Sequence, residues 1–249
     1  MKIATFNING VKARLPRLLD WLEASAPDIV CLQEIKCGDD AFPRLEFEDK
    51  GWRLETHGQK GRNGVAILAR SEIEDIHCGL PGDEADAQAR YLEATVEGVR
   101  VASIYLPNGN PVDSEKFTYK LAWMDRLIAH AQGLLQTETP VVLAGDFNAI
   151  PEPEDCYDPD AWKDDALFRP ATRAKFRALL FQGWTDAIRQ IHPSGDQYTF
   201  WDYQGGAWPQ DHGIRIDHLL LSPQAADRLE DAGVDRGERD KKKASDHAP

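Results

Sequence analysis

Hydrophobic residues follow two different spacings along the chain, and their alternation predicts a mixed α/β protein. The segments 2–8 (KIATFNI) and 28–34 (DIVCLQE) are short apolar runs of the kind that form buried strands. Between them, leucines at positions 15 to 22 recur at helical spacing, and we place Pro16 in the first turn of that helix, where proline is tolerated. The chain therefore opens with a predicted strand, helix and second strand.

The next part of the chain predicts strands that pair antiparallel. Segments 52–58 and 64–70 have the composition of strands. Segment 91–107 divides at Glu97-Gly98 and leaves little room for a helix, which indicates a hairpin. This part of the sheet should therefore be antiparallel.

The second half of the chain again alternates helices with strands. An amphipathic segment from Ser114 to about Gln136 predicts a helix packed on the sheet. The apolar run 141–150 (VVLAGDFNAI) predicts the strand that follows. A second helix is predicted from Arg173 to about Gln190, and segment 214–222 predicts a final strand.

These elements predict a layered fold. Several strands are apolar on both faces, and single helices stand among paired strands, which indicates two sheets packed together and covered outside by helices. No Pro/Gly-rich linker divides the chain. We therefore expect residues 1–249 to form a single α/β domain, a four-layer sandwich of two packed, mostly antiparallel mixed sheets flanked by helices.

The composition narrows the possible partners. The chain has 29 Lys and Arg against 42 Asp and Glu, a net charge of −13, which argues against indiscriminate nucleic-acid binding. A polyanionic partner would have to meet a metal ion or a local basic face, and Lys116 and Lys120, one helical turn apart, are candidates for such a face. The four cysteines lack metal-site or disulfide spacing. No signal peptide or membrane span is evident, which predicts a cytoplasmic protein with no membrane partner.

Polar side chains repeatedly interrupt the apolar runs at strand ends. A single such residue means little, because Asp and Asn often form turns at these places. The same pattern at six strand ends favours one shared cleft at the carboxyl ends of the strands. The residues concerned are Asn7, Glu34, Tyr105, Asn108, Asp146, Asn148, Asp217, Asp246 and His247.

This mixture of side chains indicates metal-assisted chemistry on a phosphodiester. Clustered carboxylates repel one another unless a cation joins them, and oxygen ligands without cysteine suit Mg²⁺, with Mn²⁺ as a substitute. Asp146 would position or deprotonate the attacking water, and Asn148 would hold that water or the phosphate. Tyr105 would donate to a phosphate oxygen, and Asp217 would pair with His247 and keep its imidazole charged.

The segments TFNING, LQEIK, GVAIL, YLPNG, EKFTYK, GDFN, TFWDY, RIDHLL and SDHAP occur in this order along the chain. Through them the chain resembles, over essentially its whole length, the exonuclease III family of abasic-site endonucleases within the DNase I-like endonuclease/exonuclease/phosphatase superfamily. GDFN is shared across the larger group, whereas LQEIK, TFWDY and RID are more specific to this family. The resemblance implies a Mg²⁺-dependent DNA phosphodiesterase of base-excision repair. Such an enzyme cleaves duplex DNA 5′ of abasic sites and trims 3′ ends as a 3′–5′ exonuclease, and nothing in the sequence demands more than a monomer.

The resemblance also implies roles for individual residues. Glu34 is implied as the main metal ligand, and an apolar wall between TFW and RID is implied to accept a flipped-out sugar without a base. The implied metal ligands are Glu34, Asn7, Asp246, Asp146 and Asn148; the implied catalytic groups are Tyr105, Asp146, Asn148, Asp217 and His247; the implied apolar wall is Phe200, Trp201, Ile214 and Ile216. Asn108, at a strand end, and the basic residues Lys116 and Lys120 are the further candidate substrate contacts.

Two features depart from the family pattern. Gln204 follows TFWDY at a position where relatives often place a basic side chain, which predicts a weaker phosphate contact. Family members also continue into one more strand beyond the position of Pro249. We therefore expect the domain to lack a final C-terminal strand and His247 to fray.

Two alternative functions stay open at the level of the sequence. The same scaffold could act on lipid or inositol phosphates, although neither a lipid-facing apolar loop nor a strongly basic pocket is evident. A non-catalytic nucleic-acid-binding relative would not need the complete set of Glu34, Asp146, Asn148, Asp217 and His247.

Overall fold

The computed structural model describes residues 1–249 and contains two mixed β-sheets. In chain order the strands are β1 (Ile3–Asn7), β2 (Ile29–Gln33), β3 (Arg53–His57), β4 (Val65–Ala69), β5 (Glu74–Cys78), β6 (Tyr91–Val96), β7 (Val99–Tyr105), β8 (Val141–Asp146), β9 (Thr185–Asp186) and β10 (Asp217–Leu221). The four-stranded sheet has the order β1-β2-β4-β3, and the six-stranded sheet has the order β5-β6-β7-β8-β10-β9.

The helices differ widely in length, and none combines the length and the hydropathy that a membrane span requires. In chain order they are α1 (Val11–Ser25), α2 (Arg44–Glu48), α3 (Glu115–Leu135), α4 (Pro159–Trp162), α5 (Pro170–Phe181), α6 (Ala187–Ile191), α7 (Ala207–Gln210) and α8 (Pro223–Ala226).

Three hydrophobic cores separate four layers. Leu18 and Trp21 of α1 pack on the outer face of the four-stranded sheet. Ile67 and Val142 belong to the core between the two sheets. Trp123 of α3 packs with residues of α5 on the outer face of the six-stranded sheet. The predicted four-layer sandwich is therefore confirmed.

The opening of the chain forms as predicted except for the start of its helix. β1 and β2 pair in parallel on either side of α1 in the sequence. α1 begins at Val11, so Pro16 lies inside the helix and its predicted place in the first turn was wrong. Gly10, with a φ of 101°, allows the chain to turn into the helix soon after β1.

The predicted hairpin is formed by β6 and β7. Its turn residues Glu97 and Gly98 have φ values of 48° and 75°. Left-handed values at both positions are what a type I′ turn requires, and they match the twist of the paired strands. Glycine adopts this conformation without strain. The dipeptide Glu97-Gly98 therefore correctly indicated the hairpin.

The predicted helix from Arg173 to about Gln190 is divided in the structure. α5 ends at Phe181 and α6 begins at Ala187, with the short edge strand β9 between them. Gly183, at a φ of 118°, interrupts the helical path. The helical spacing of apolar residues continues through the residues of β9, but these residues pair with β10 and do not form a helix. The prediction of one continuous helix was therefore wrong.

Two strands also differ from those that the sequence predicts. β5 was not predicted, because its five residues are all exposed and show no apolar alternation. The final strand is shorter than segment 214–222, since regular pairing begins only at Asp217, and Ile214 forms single bridges.

A buried carboxylate lies on the outer side of the six-stranded sheet. Glu93 in β6 is 2% exposed and accepts hydrogen bonds from the Tyr91 hydroxyl, from Arg100 and from His130 Nε2, the last at 2.7 Å. Burial by itself would raise the pKa of Glu93. The hydrogen bonds from His130 and Tyr91 and the charge of Arg100 outweigh burial and lower this pKa to about 2.

We expect Glu93 to stabilise the fold at neutral pH and to lose this effect in acid. Its folded-state pKa lies below the ordinary value of 4.5, so the stabilisation is present above pH 4.5 and is lost as the pH falls toward 2. The shift corresponds to about 3 kcal/mol in the free energy of unfolding. Urea unfolding of the wild type and of Glu93→Gln at several pH values measures it, and the stability difference between the two proteins should narrow below pH 4.5. A difference that is constant with pH would instead indicate a packing effect.

Candidate active site

Strand direction brings the predicted site residues to one edge of the sandwich. β1 and β2 run parallel, and so do β7 and β8, so Asn7, Glu34, Tyr105 and Asp146 follow or end strands at this edge. β10 runs antiparallel to β8, and its first residue, Asp217, lies opposite Asp146. Asp217 thus reaches the site from the beginning of a strand, and its placement at a carboxyl end was wrong.

A cluster of ionisable side chains forms where these strands meet. A carboxylate oxygen of Glu34, one of Asp146 and a ring nitrogen of His247 all lie within 4.8 Å of one another. Asn7 Nδ2 donates to Glu34 Oε1 and to Asp146 Oδ2, both at 2.9 Å, so its amide holds the two carboxylates together. Glu34 and Asn148 have φ values of 51° and 43°. Strained backbone of this kind is found preferentially at functional sites.

The donor set of the cluster fits a divalent cation. Burial, and after it the charge of the nearby Asp217, raises the pKa of Asp146, so the ionised form of this carboxylate has an electrostatic cost that a cation would offset. Burial also acts to raise the pKa of Glu34, but hydrogen bonds from Lys36 and Asn7 lower it, so this carboxylate is ionised. Glu34 and Asp146 therefore offer the hard oxygen donors that Mg²⁺ and Mn²⁺ prefer.

The other predicted metal ligands also make hydrogen bonds to groups outside the tight cluster. Asn7 Oδ1 accepts from Asn9 N at 3.0 Å, and Asp246 Oδ1 accepts from Asn9 Nδ2 at 3.0 Å. Asn148 Nδ2 donates to Leu106 O at 2.8 Å. The roles of Asn7, Asp246 and Asn148 as metal ligands stay predictions, and their observed contacts position neighbouring groups.

His247 and Asp217 form the predicted pair. His247 Nδ1 lies 2.8 Å from Asp217 Oδ2, and both side chains are buried. Burial would lower the pKa of His247, but the charge and the hydrogen bond of Asp217 outweigh it and raise the pKa well above the ordinary range. The ring is therefore an imidazolium. His247 Nε2 lies 3.8 Å from Asp146 Oδ2, which is too far for a hydrogen bond and leaves this N–H free to donate to another group.

Tyr105 stands at the end of β7 beside the carboxylates. Burial and the charges of Glu34 and Asp146 raise its pKa well above the ordinary value, so the phenol keeps its proton and can donate. The guanidinium of Arg90 lies over its ring, 4.7 Å from the centroid. These contacts hold the ring in place and bring a positive charge close to the site.

A pair of carboxylates, one buried and one partly exposed, stands with an imidazolium and a protonated phenol at one edge of a two-sheet sandwich. This set of groups suits attack on a phosphate ester. A model of the Endonuclease/Exonuclease/phosphatase family matches residues 4–247. The chain belongs to this family. Exodeoxyribonuclease III of Haemophilus influenzae is 35% identical and aligns over 100% of this chain and 98% of its own length. The DNA repair nuclease APEX1 of Danio rerio is 32% identical over 100% of this chain and 80% of its own length.

Solved structures agree with this assignment. An AP endonuclease from Archaeoglobus fulgidus has a TM-score of 0.96 and 38% sequence identity, covering 100% of this chain and 96% of its own. The 3′–5′ exonuclease NExo from Neisseria meningitidis has a TM-score of 0.97 and 43% identity, covering 100% of this chain and 97% of its own. The fold class and the family resemblance inferred from the sequence are thereby confirmed.

Lys120 does not have the exposure that a contact with DNA would need. Its side chain is buried, and Nζ donates to the carbonyl oxygens of Pro107, Asn108 and Asn148. Burial lowers its pKa to about 7. The loop at Gly109 covers the side chain so closely that a Cβ there would lie 2.5 Å from Lys120 Cδ. The predicted DNA contact was wrong, and Lys120 instead joins the loops that follow β7 and β8.

The other two polar substrate contacts have the exposure that the prediction requires. Lys116 lies in the first turn of α3 and is exposed. Asn108 is exposed and donates from Nδ2 to Asn148 Oδ1 at 3.2 Å. Both stay predictions as contacts with this family's substrate.

The predicted apolar wall is divided between two clusters. Phe200, Ile214 and Ile216 pack in one cluster, and of these three side chains Phe200 is partly exposed while the two isoleucines are buried. Trp201 is fully buried in another cluster, where Nε1 donates to Asp211 Oδ1 at 2.9 Å. Neighbouring residues of an extended segment point to opposite sides, so Phe200 and Trp201 cannot line the same wall. Trp201 was therefore wrongly included in the pocket.

The segment that carries His247 is held along its length. His247 forms an antiparallel bridge with Phe200, and backbone hydrogen bonds of 2.9 and 2.8 Å flank this bridge. With the hydrogen bond to Asp217, these contacts leave His247 only 4% exposed. The prediction that His247 frays was wrong. The weaker phosphate contact at Gln204 stays a prediction.

Two residues of the site were missed by reasoning from the sequence. Lys36 lies 2.8 Å from Glu34 Oε2 and also donates to Asn9 Oδ1. Asn9 in turn bonds to Asp246. Both residues belong to segments that carry the family resemblance, TFNING and LQEIK, and that membership was the only signal available.

Proposed function

We propose that the protein is a Mg²⁺-dependent DNA phosphodiesterase of base-excision repair. It would cleave duplex DNA 5′ of abasic sites and remove nucleotides from 3′ ends. The observation that carries the proposal is the close arrangement of the partly exposed Glu34 with the buried Asp146, His247 and Asp217 at one edge of the sandwich. Relatives named exodeoxyribonuclease III and AP endonuclease support it, as does a 3′ phosphatase from Neisseria, 42% identical, whose structure contains a product DNA hairpin.

In this proposal the protein groups bind the cation, accept the proton of the attacking water and bind the phosphate, and Asp146 takes part in the first two of these tasks. Glu34 and Asp146 would hold the cation, which would stabilise negative charge on the phosphate. Asp146 also positions the attacking water and accepts its proton, while Asn148 N donates to Asp146 Oδ1 at 2.9 Å and fixes the orientation of that carboxylate. The water oxygen bonds to phosphorus as the bond from phosphorus to the 3′ oxygen breaks, and that leaving oxygen takes up a proton from solvent. His247 Nε2 donates to one phosphate oxygen, and Tyr105 donates to a second one.

The two alternative functions have less support. A non-catalytic relative would gain nothing from a complete cluster whose burial is costly. Action on lipid or inositol phosphates has no observation in its favour. Monomeric action and a cytoplasmic location stay predictions.

Incision of DNA with a single defined lesion tests the proposal. A 5′-labelled duplex with one abasic-site analogue should be cut 5′ of the analogue in Mg²⁺ and should stay intact when EDTA is present. His247→Ala, purified in parallel, should be inactive under the same conditions. Uncut DNA with folded wild type and Mg²⁺ would refute the proposed function.

We expect Phe200→Ala to weaken the preference for abasic over intact sites. Phe200 is one of the partly exposed side chains packed against the apolar cluster that would receive the bare sugar. Removing its ring should make room for a sugar that still carries its base and lower the preference on the order of 10-fold. The measurement is the ratio of kcat/KM on abasic and intact duplexes, together with Tm. Trp201→Phe is the control, because it changes an aromatic residue of the other cluster and should leave the ratio unchanged.

A further inference from the structure

A buried ion-pair network lies behind the apolar cluster of the proposed site. Arg215 stands between Ile214 and Ile216 in sequence and is 1% exposed. Its Nε donates to Asp155 Oδ1 at 2.7 Å, and its Nη2 donates to Asp155 Oδ2 at 3.1 Å. Arg189 donates to the same carboxylate at 2.6 Å. Two guanidinium groups thus hold one buried carboxylate by directed hydrogen bonds.

The network continues from Arg215 to the loop that follows β8, the strand that ends at Asp146. Arg215 Nη1 donates to Asp186 Oδ2 at 2.7 Å and to His218 Nδ1 at 3.0 Å. Because Nδ1 accepts, the proton of the ring is on Nε2, which donates to Ala149 O at 3.0 Å. Ala149 directly follows Asn148. Every hydrogen bond from Arg215 through His218 to Ala149 therefore has a defined donor and acceptor.

Backbone contacts join the same two segments. Arg215 N donates to Asp155 O at 2.8 Å, and Cys156 forms a bridge with Ile214. One segment, 149–156, leaves the end of β8, and the other, 213–217, leads into Asp217. The Arg215–Asp155 pair and these backbone contacts therefore join the segment that carries Ile214 and Ile216 to the segment that leaves β8.

The chemistry of the network favours a positioning role over a purely stabilising one. Two arginines and two aspartates balance in charge, and Arg215 and Asp155 are almost completely removed from water. A buried ion pair is often no more stabilising than apolar residues of the same size, but its directed hydrogen bonds restrict the geometry of the groups that form it. The bidentate fork of Arg215 in particular allows little freedom to the chain on either side of it.

We propose that Arg215 and Asp155 are positioning residues that determine the selectivity for abasic sites, an inference that rests on the proposed function. Neither side chain is exposed to substrate. They act through Ile214 and Ile216, whose place relative to Asp217 they set. Loosening the pair lets the apolar wall shift, so intact nucleotides are excluded less well while the catalytic groups remain present.

The test compares incision at an abasic analogue with removal of 3′ nucleotides from an intact duplex. Asp155→Asn keeps the shape of the side chain and removes its charge, and Arg215→Lys keeps the charge and removes the fork. Each should raise KM at the abasic site and lower the ratio of the two kcat/KM values by about 10-fold, with kcat on the intact 3′ end within about 3-fold of wild type. Should Asp155→Asn fail to fold, Arg215→Lys carries the same test.

The matched control breaks a pair of the same type on the same loop. Arg177 donates to Glu152 with a bidentate fork, but both side chains are partly exposed. Arg177→Gln should leave the ratio unchanged. Folded Asp155→Asn and Arg215→Lys proteins that keep the wild-type ratio, whatever their Tm, would overturn this inference alone. A wild type without incision at abasic DNA would overturn the proposed function, and this inference with it.

Discussion

Asp146→Asn should reduce turnover on abasic DNA by at least about 100-fold, because a positioned general base usually contributes that much or more. The side chain is buried, with its carboxylate oriented by Asn7 and by the backbone N–H of Asn148. Asparagine has a similar shape but cannot accept the proton of the attacking water. The fold and the surface that meets DNA should therefore be retained.

Two measurements separate catalysis from binding for this variant. Single-turnover incision gives the chemical step, and fluorescence anisotropy with a labelled abasic duplex gives the affinity. Asp246→Asn is the control, because it makes the same substitution in a carboxylate that bonds to Asn9 outside the tight cluster, and its loss should be smaller. Normal turnover with weak binding by Asp146→Asn would show that Asp146 is a binding residue.

Glu34→Ala should abolish high-affinity Mg²⁺ binding and reduce activity on the order of 1,000-fold, since a catalytic cation typically contributes several kcal/mol. Glu34 is ionised, 2.9 Å from the Asn7 amide that also holds Asp146, and its positive φ points to a site under local constraint. Removing it leaves Asp146 as the only carboxylate of the cluster.

Calorimetric titration with Mg²⁺ and with Mn²⁺ measures this effect independently of DNA. The variant should stay folded, with near-wild-type circular dichroism. Glu46→Ala, which removes an exposed glutamate of α2, should bind the ion like the wild type. Mg²⁺-dependent incision by Glu34→Ala at the wild-type rate would exclude Glu34 as the main ligand.

Much of the fold could be predicted from the sequence, because the features concerned are local. The apolar runs of β1, β2 and β8 and the helical spacing of α3 report burial of residues that are close together in the chain. The turn at Glu97-Gly98 depends on backbone conformations that these residues favour or tolerate. The polar ends of the same strands located Asn7, Glu34 and Asp146 before any pairing was known.

Other features were decided only by contacts between distant segments. α5 and α6 are separate because Thr185 and Asp186 pair with β10, and no local pattern reports that pairing. Lys120 looked like a surface lysine, yet the loops after β7 and β8 close over it and take its three hydrogen bonds.

The details of the candidate site divide in the same way. The sequence by itself determined which residue types could perform the chemistry and in which family they occur. Only the tertiary structure placed Asp217 opposite Asp146, separated Phe200 from Trp201 and joined Arg215 to Asp155. The physical reason is that strand pairing and side-chain direction depend on partners that lie tens of residues away, so the composition of one segment does not contain them.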